Sequence, residues 1–240
     1  MPLRSSSQDL AESLVLAGSY AAKQAKEPAP EVRPHFTIAV SRESGAGGTS
    51  VGAAVGERLG WPVYDHELIE RIAAQMHLRT SLLESVDERR RSWLLEAVEA
   101  FSSGRTVSES AYVRHLVETV LSLGTHGDCV IVGRGAALVL PPATTLRVRL
   151  IAEMEDRIRN MSRERGLSHQ DAANLIDALD RERVRFSWDH FRKDVTDPSQ
   201  YDLVLNTSRI SYVACADLVM AALRHLRERA AEKQGGRQSS

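Results

Sequence analysis

Ser41-Arg42-Glu43-Ser44-Gly45-Ala46-Gly47-Gly48-Thr49-Ser50 decides how this chain of 240 residues is read. The stretch follows the apolar, β-rich run Phe36-Thr37-Ile38-Ala39-Val40 and opens a helical pattern over 49–59 that Gly60 and Pro62 stop. Gly45, Gly47 and Gly48 let backbone N–H groups turn inward with no Cβ in the way. The helix N-terminus that follows adds unpaired donors and the positive end of its dipole. Strand, glycine loop and helix in this order make a concave anion site fit for the polyphosphate of a nucleoside triphosphate. The plainer reading is a tight glycine turn that binds nothing. The standard loop G-x-x-x-x-G-K-[ST] carries lysine where this chain has Gly48. A dinucleotide fingerprint fits worse, because the three glycines do not spell G-x-G-x-x-G.

Outward from the loop, short apolar runs alternate with helical stretches. Further runs are Pro62-Val63-Tyr64, Cys129-Val130-Ile131-Val132, residues 146–151 and Asp202-Leu203-Val204-Leu205. Near-continuous apolar strands separated by helices mean a parallel sheet covered on both faces. The predicted class is therefore α/β: three layers, about five parallel strands, and a helical insertion between the second and third. The alternating run 146–151 reads as lying near an edge or facing a polar cleft. Helices are expected over about 65–76, over 87–125 with a split near Ser102-Ser103-Gly104, and over 153–165, 168–185 and 211–228. Ser168 and Asp171 resemble a capping box. Residues 1–34 read as an arm and linker, partly helical or disordered, with Pro28, Pro30 and Pro34 ending it. Residues 35–229 read as the domain and 230–240 as a disordered, fraying tail.

Composition narrows the function classes. Apolar residues make up 42% and charged residues 26%, which excludes a wholly disordered chain. The formal charge of -1, from 31 Lys+Arg against 32 Asp+Glu, gives no electrostatic reason to expect nucleic acid or an anionic membrane as partner. Cys129 and Cys215 sit in apolar runs and read as buried thiols in a reducing compartment. No run reaches the length of a membrane span, and Asp9 and Glu12 interrupt any signal-peptide pattern, so a cytoplasmic location is expected. The histidines form no H-x-x-x-H pair, which argues against a zinc site. Trp93, Leu94, Leu95, Val98 and Phe101 make an apolar stripe that reads as core or as a subunit contact in a homo-oligomer.

Four motifs together resemble the cytidylate kinase-like family of nucleoside monophosphate kinases within the P-loop class. Ser41-Arg42-Glu43-Ser44-Gly45-Ala46-Gly47-Gly48 is similar to its S-R-E-x-G-[SA]-G-G loop, and Trp61-Pro62-Val63-Tyr64-Asp65-His66-Glu67-Leu68-Ile69 to its segment after the first helix. Val132-Gly133-Arg134-Gly135-Ala136 resembles its V-G-R-G-A turn, and residues 201–207 its closing strand. The resemblance covers about residues 37–226. It implies a P-loop kinase fold with an acceptor-binding insertion over about 65–125 and an arginine-rich lid over about 157–195.

The roles it implies follow residue by residue. Ser44, Gly45, Ala46, Gly47, Gly48, Thr49 and Ser50 hold the phosphates of ATP, and Ser50 with Asp65 holds Mg²⁺. Arg71 and Arg134 bind the acceptor phosphate. Arg157, Arg181 and Arg185 close over the phosphates as lid arginines, and Asp180 contacts substrate or fixes an arginine. Arg183 is expected to point away from the face shared by Arg181 and Arg185. Arg42, or an arginine of the later helices, replaces the charge of the missing lysine; the plainer reading pairs Arg42 with Glu43 at the surface. Asp65 also reads as a simple helix cap. True cytidylate kinases have G-R-D where this chain has Gly133-Arg134-Gly135, so the residue that helps recognise cytidine is absent. The reading is transfer of the ATP γ-phosphoryl group to a nucleoside monophosphate, CMP or dCMP. Its alternatives are a nucleotide-binding sensor without efficient turnover and a kinase for another small acceptor.

Overall fold

A computed structural model describes residues 35–84, 98 and 107–238. The arm 1–34 and most of the Trp93–Phe101 stripe lie outside them; Val98, within them, is buried. In chain order the elements are β1 (Thr37–Arg42), α1 (Gly48–Leu59), β2 (Val63–Tyr64), α2 (His66–Ala74), α3 (Met76–Glu84) and α4 (Val107–His126). They continue with β3 (Cys129–Val132), α5 (Ala136–Val139), β4 (Thr145–Ile151), α6 (Met154–Arg165), α7 (His169–Phe191), a 3₁₀ turn (Pro198–Gln200), β5 (Leu203–Asn206) and α8 (Tyr212–Gln238).

The five strands form one sheet in the order β2-β3-β1-β4-β5, and every pairing is parallel. The alternation of side chains splits β1 between two cores. Ile38 and Val40 join Val130, Val132, Val148 and Leu150 beneath α1 and α8. Ala39 and Ile131 face the other way, into the core of α2, α4 and α5. Burial of each such large side chain is worth roughly 1.5–3 kcal/mol, so these two cores hold the domain together. A smaller cluster, Ile158, Met161, Ala172 and Ile176, staples α6 to α7. The lid hairpin thus carries its own small core.

Three sequence expectations shift. β4 lies between β1 and β5 rather than at an edge. Its alternation reflects two arginines with built-in partners: Arg147 forks onto Asp202, and Arg149 donates to Ser41 Oγ. The lid helix α7 runs on to Phe191, past the 185 expected from sequence, and Arg192 caps it at φ +55°. Ser168 does cap its start, accepting from Asp171 N–H at 3.1 Å. α8 stays helical to Gln238, beyond the fraying expected at 230, because no proline interrupts it. Among the described residues no helix is long and apolar enough to cross a membrane.

Candidate functional site

β1 delivers the glycine loop to the carboxyl end of the sheet, where open α/β sheets place ligands. Two bonds shape the loop: Glu43 N–H donates to Leu150 O at 3.0 Å and Ala46 N–H to Glu43 O at 3.2 Å. Gly45 and Gly47 take φ of +78° and +75°, a region that favours glycine. A Cβ on Gly45 would also stand 2.5 Å from the Arg157 carbonyl oxygen, so α6 packs on the loop backbone. The Tyr212 ring closes against Gly47 in the same way. Among the described residues, no protein acceptor meets the amides of Gly45, Gly47, Gly48, Thr49 or Ser50. All of these residues line one cleft of about 490 Å³. The cleft is walled also by Arg42, His66, Gly133, Arg134, Arg183 and Phe186.

Arg42 turns inward, not toward Glu43. Its aliphatic stem lies on Gly48, where a Cβ would approach Arg42 Cγ to 2.7 Å, and its guanidinium lies on Gly133. Nη2 donates to His66 Nδ1 at 3.4 Å. Burial, then the charges of Arg183 and Arg134, lower the Arg42 pKa to about 9. Burial and the Arg42 charge likewise push His66 below its ordinary value, which keeps the ring a neutral acceptor. Glu43 is engaged elsewhere, accepting from Ala152 N–H at 3.0 Å and facing Arg157 Nη1 at 3.6 Å.

The lid meets the loop through a charged knot. Arg157 is 6% exposed; its Nε donates to Ser44 O at 2.8 Å and its Nη2 pairs with Asp180. Asp180 Oδ1 accepts from Ser44 N–H at 2.9 Å and from Ser44 Oγ at 2.8 Å. Arg183 Nη1 reaches Ser44 Oγ at 2.8 Å, and burial lowers the Arg183 pKa. The expectation that Arg183 points away is therefore corrected: it is the α7 arginine that lines the cleft. Arg181 and Arg185 are 78% and 85% exposed and pair along the outer face with Asp177 and Asp189. The sequence did hold the signal. Ala172, Ile176, Leu179, Arg183 and Phe186 recur at helical spacing, which places Arg183 on the packed stripe.

The remaining expected residues divide. Arg134 lines the cleft at φ +48°, with Nη2 2.5 Å from Glu70 Oε1. Tyr112 donates to the same Glu70 oxygen at 2.8 Å. Asp65 caps α2, accepting from Leu68 N–H at 2.9 Å; neither it nor Arg71 lines the cleft. Gly135 has φ +72°, and the Phe191 ring fills the space a side chain there would take. For a cation, the cleft offers the exposed hydroxyls of Thr49 and Ser50. Among the described residues, no three His, Cys, Asp or Glu side chains cluster as a metal site. This donor set fits Mg²⁺, which binds through few protein ligands plus phosphate oxygens and water.

An open parallel sheet with a glycine loop feeding a helix N-terminus, opposed by an arginine-bearing lid, defines a P-loop kinase-type fold. The model of the cytidylate kinase-like family matches residues 37–209, and the chain belongs to that family. It is 31% identical over 112 residues to a cytidylate kinase from Methanopyrus kandleri, covering 43% of this chain and 58% of that protein. It is 26% identical over 182 residues to a cytidylate kinase from Pyrobaculum aerophilum, covering 72% and 85%. The matched stretch spans less than two thirds of several curated relatives; for a uronate isomerase from Corynebacterium glutamicum, 29% identical over 120 residues and half of this chain, it spans 23%. In structure it is similar to an uncharacterized protein from Eubacterium ventriosum, with TM-score 0.64, 18% identity, and coverage of 80% of this chain and 99% of that one.

Proposed function

We propose that this chain is a phosphotransferase moving the ATP γ-phosphoryl group to a nucleoside monophosphate, with CMP or dCMP as acceptor. One observation carries the reading. The acceptor-free amides of Gly45, Gly47, Gly48, Thr49 and Ser50 line the same cleft as Arg42, Arg134 and Arg183. A phosphoryl group in transfer spreads negative charge over its oxygens, and fixed N–H donors and guanidiniums are what stabilise it. Membership of the family supports a nucleotide kinase, and the similarity to two cytidylate kinases supports CMP.

In this reading the loop amides of Gly45, Gly47, Gly48, Thr49 and Ser50 hold the donor phosphates, while those of Ser44 and Ala46 shape the loop. Arg42 supplies the charge that lysine supplies in standard loops, and Arg183 adds a second from the lid. Arg157 and Asp180 act as positioning residues that seat the lid on the loop. Arg134 orients the acceptor. Ser50, beside Thr49, would hold Mg²⁺, which when bound neutralises phosphate charge. An acceptor phosphate oxygen attacks the γ-phosphorus, the bond to the ADP oxygen breaks, and no covalent enzyme intermediate forms.

One observation favours the sensor reading. The Asp180 carboxylate already accepts from the amide and hydroxyl of Ser44, where an anion could sit. A coupled ADP-release assay with MgATP over a panel of acceptors, run beside calorimetric nucleotide binding, separates the readings. ADP formation that depends on CMP or dCMP is the expected result. ATP binding without turnover supports the sensor, and turnover only with a non-nucleotide supports another kinase. Absence of both nucleotide binding and turnover overturns the proposal.

A further inference from the structure

Leu59 ends α1, and beside it one side of α8 opens a second groove, of about 310 Å³. Its floor is Leu59, Met220 and Leu223, and its rim carries Asp217, Arg224 and Arg227. Leu59 and Met220 are only partly buried, at the fringe of the core beneath α1 and α8. Among the described residues Arg224 has no ion-pair or hydrogen-bond partner. Asp217 accepts from Arg58 at 2.6 Å through Oδ1 and is otherwise exposed. The groove lies at the end of α1 remote from the glycine loop, about 16 Å along the helix.

The chain joins the domain at the edge of this groove. Arg227 lies 5.1 Å from the centroid of the Trp61 ring and 5.7 Å from that of Phe36, and it faces Asp128 at 3.7 Å. His35 Nδ1 pairs with the same carboxylate at 2.7 Å. The arm that precedes His35 therefore starts from the Arg227 end of the groove. Residues 27–34, with Pro28, Pro30 and Pro34, span about 25 Å when extended. From Asp217 to Arg227 α8 rises about 15 Å. The linker thus reaches the far end, and a helix over 9–26 has room to run back antiparallel to α8. On such a helix Leu10, Leu14, Val15, Gly18, Ala21 and Ala22 share one broad face, while Glu12, Lys23 and Lys26 line one flank. Glu12 and Lys23 are about 16 Å apart along it, which matches the spacing of Arg227 and Asp217. Opposite charges then meet at both ends: Glu12 with Arg224 and Arg227, Lys23 with Asp217.

We propose that residues 9–26 form an amphipathic helix that docks in the α1–α8 groove of the same chain. Leu10, Leu14 and Val15 cover Leu59 and Met220, and Glu12 supplies the partner that Arg224 lacks. The linker holds the arm at millimolar effective concentration, so a small apolar contact suffices. Hydrogen exchange read by mass spectrometry on the full chain tests this. In wild type the amides of residues 10–22 should exchange about tenfold slower than in Leu14→Asp, as a weak tethered contact gives. Glu12→Arg and Arg224→Glu should each lose about two- to fivefold of that protection, the scale of an exposed ion pair. The double variant should regain it, because the pair is rebuilt with its charges exchanged. The protection should not change on dilution, as an in-chain contact requires. Absence of protection at 10–22 overturns the proposal, as does protection that Arg224→Glu leaves untouched or that the double variant fails to restore. Protection that fades on dilution, with a dimer in sedimentation, overturns docking within one chain and makes the groove an interface between copies.

Discussion

Arg42 occupies the space that a side chain on Gly48 would need: a Cβ there would stand 2.7 Å from Arg42 Cγ and 3.0 Å from Cδ. The bare residue in the lysine position and the arginine six residues earlier are thus two halves of one arrangement. The cation enters from the strand end and lies across the loop. Arg42→Ala is expected to lower turnover by about 10²-fold, the scale of losing one preorganised charge. Gly48→Lys alone should lose activity too, because the new side chain collides with Arg42. Arg42→Ala combined with Gly48→Lys should recover part of it. Steady-state kinetics on the two single variants and the double variant measure this. Additive losses in the double variant would mean that the two positions do not share one role.

The Arg42 pKa near 9 sets a pH signature. The folded value lies below that of an unfolded arginine, so the folded state binds fewer protons between the two. Stability carries the full penalty of the buried cation below about 9 and rises as pH climbs from there toward the ordinary arginine value. ATP affinity runs the other way: flat below about 9 and falling above it, as Arg42 loses its proton. Binding titrations from pH 7 to pH 10 check this, with Arg42→Ala expected to flatten the profile.

His66 adds a change at the acid side. Burial and the Arg42 charge lower its pKa from 6.5, so protonation opposes the folded state. The expected outcome is a loss of stability that begins as pH falls below 6.5 and saturates below the folded value. Thermal melts should show a smaller acid-side loss in His66→Gln than in wild type, because the variant has no imidazole to protonate.

The lid arginines should separate cleanly. Arg157 is buried against Asp180 and Glu43, so Arg157→Ala leaves carboxylates uncompensated and should cost about 3–5 kcal/mol of stability. Arg183→Ala should mainly weaken turnover and ATP affinity. Arg181→Ala and Arg185→Ala remove exposed pairs and should leave thermal midpoint and turnover near wild type. Parallel melts and assays of the four variants test the order.

Gly135 is locked by conformation and by contact. Gly135→Asp forces a side chain onto a backbone at φ +72° and into Phe191, so it should destabilise the fold. Phe191→Ala in the same chain should relieve the contact but not the backbone strain. Denaturant titration of the single and double variants checks that partial recovery.

What the sequence made legible was local. Glycines between a β-rich run and a helix start prescribe a loop geometry within ten residues, and Ser168 caps its own helix three residues on. Alternating strands and helices likewise prescribe the parallel sheet. What stayed hidden depends on contacts across the fold. Arg42 has room to turn inward only because Gly48 and Gly133, far apart in sequence, are both bare. Arg183 rather than Arg181 or Arg185 reaches the loop because Ile176 and Leu179 fix the roll of α7. Arg149 meets the Ser41 hydroxyl only once β4 is seated beside β1. Residue spacing along one helix does not report such placements; the packed stripe of that helix does.

The central claim is that the loop backbone is a polyphosphate cradle, and amide NMR addresses it most directly. With ¹⁵N-labelled full-length protein titrated with MgATP, the amide signals of Gly45, Gly47, Gly48, Thr49 and Ser50 should shift together and saturate, and the shifts should shrink in Arg42→Ala. Unmoved loop amides in a folded protein at millimolar MgATP would contradict the account.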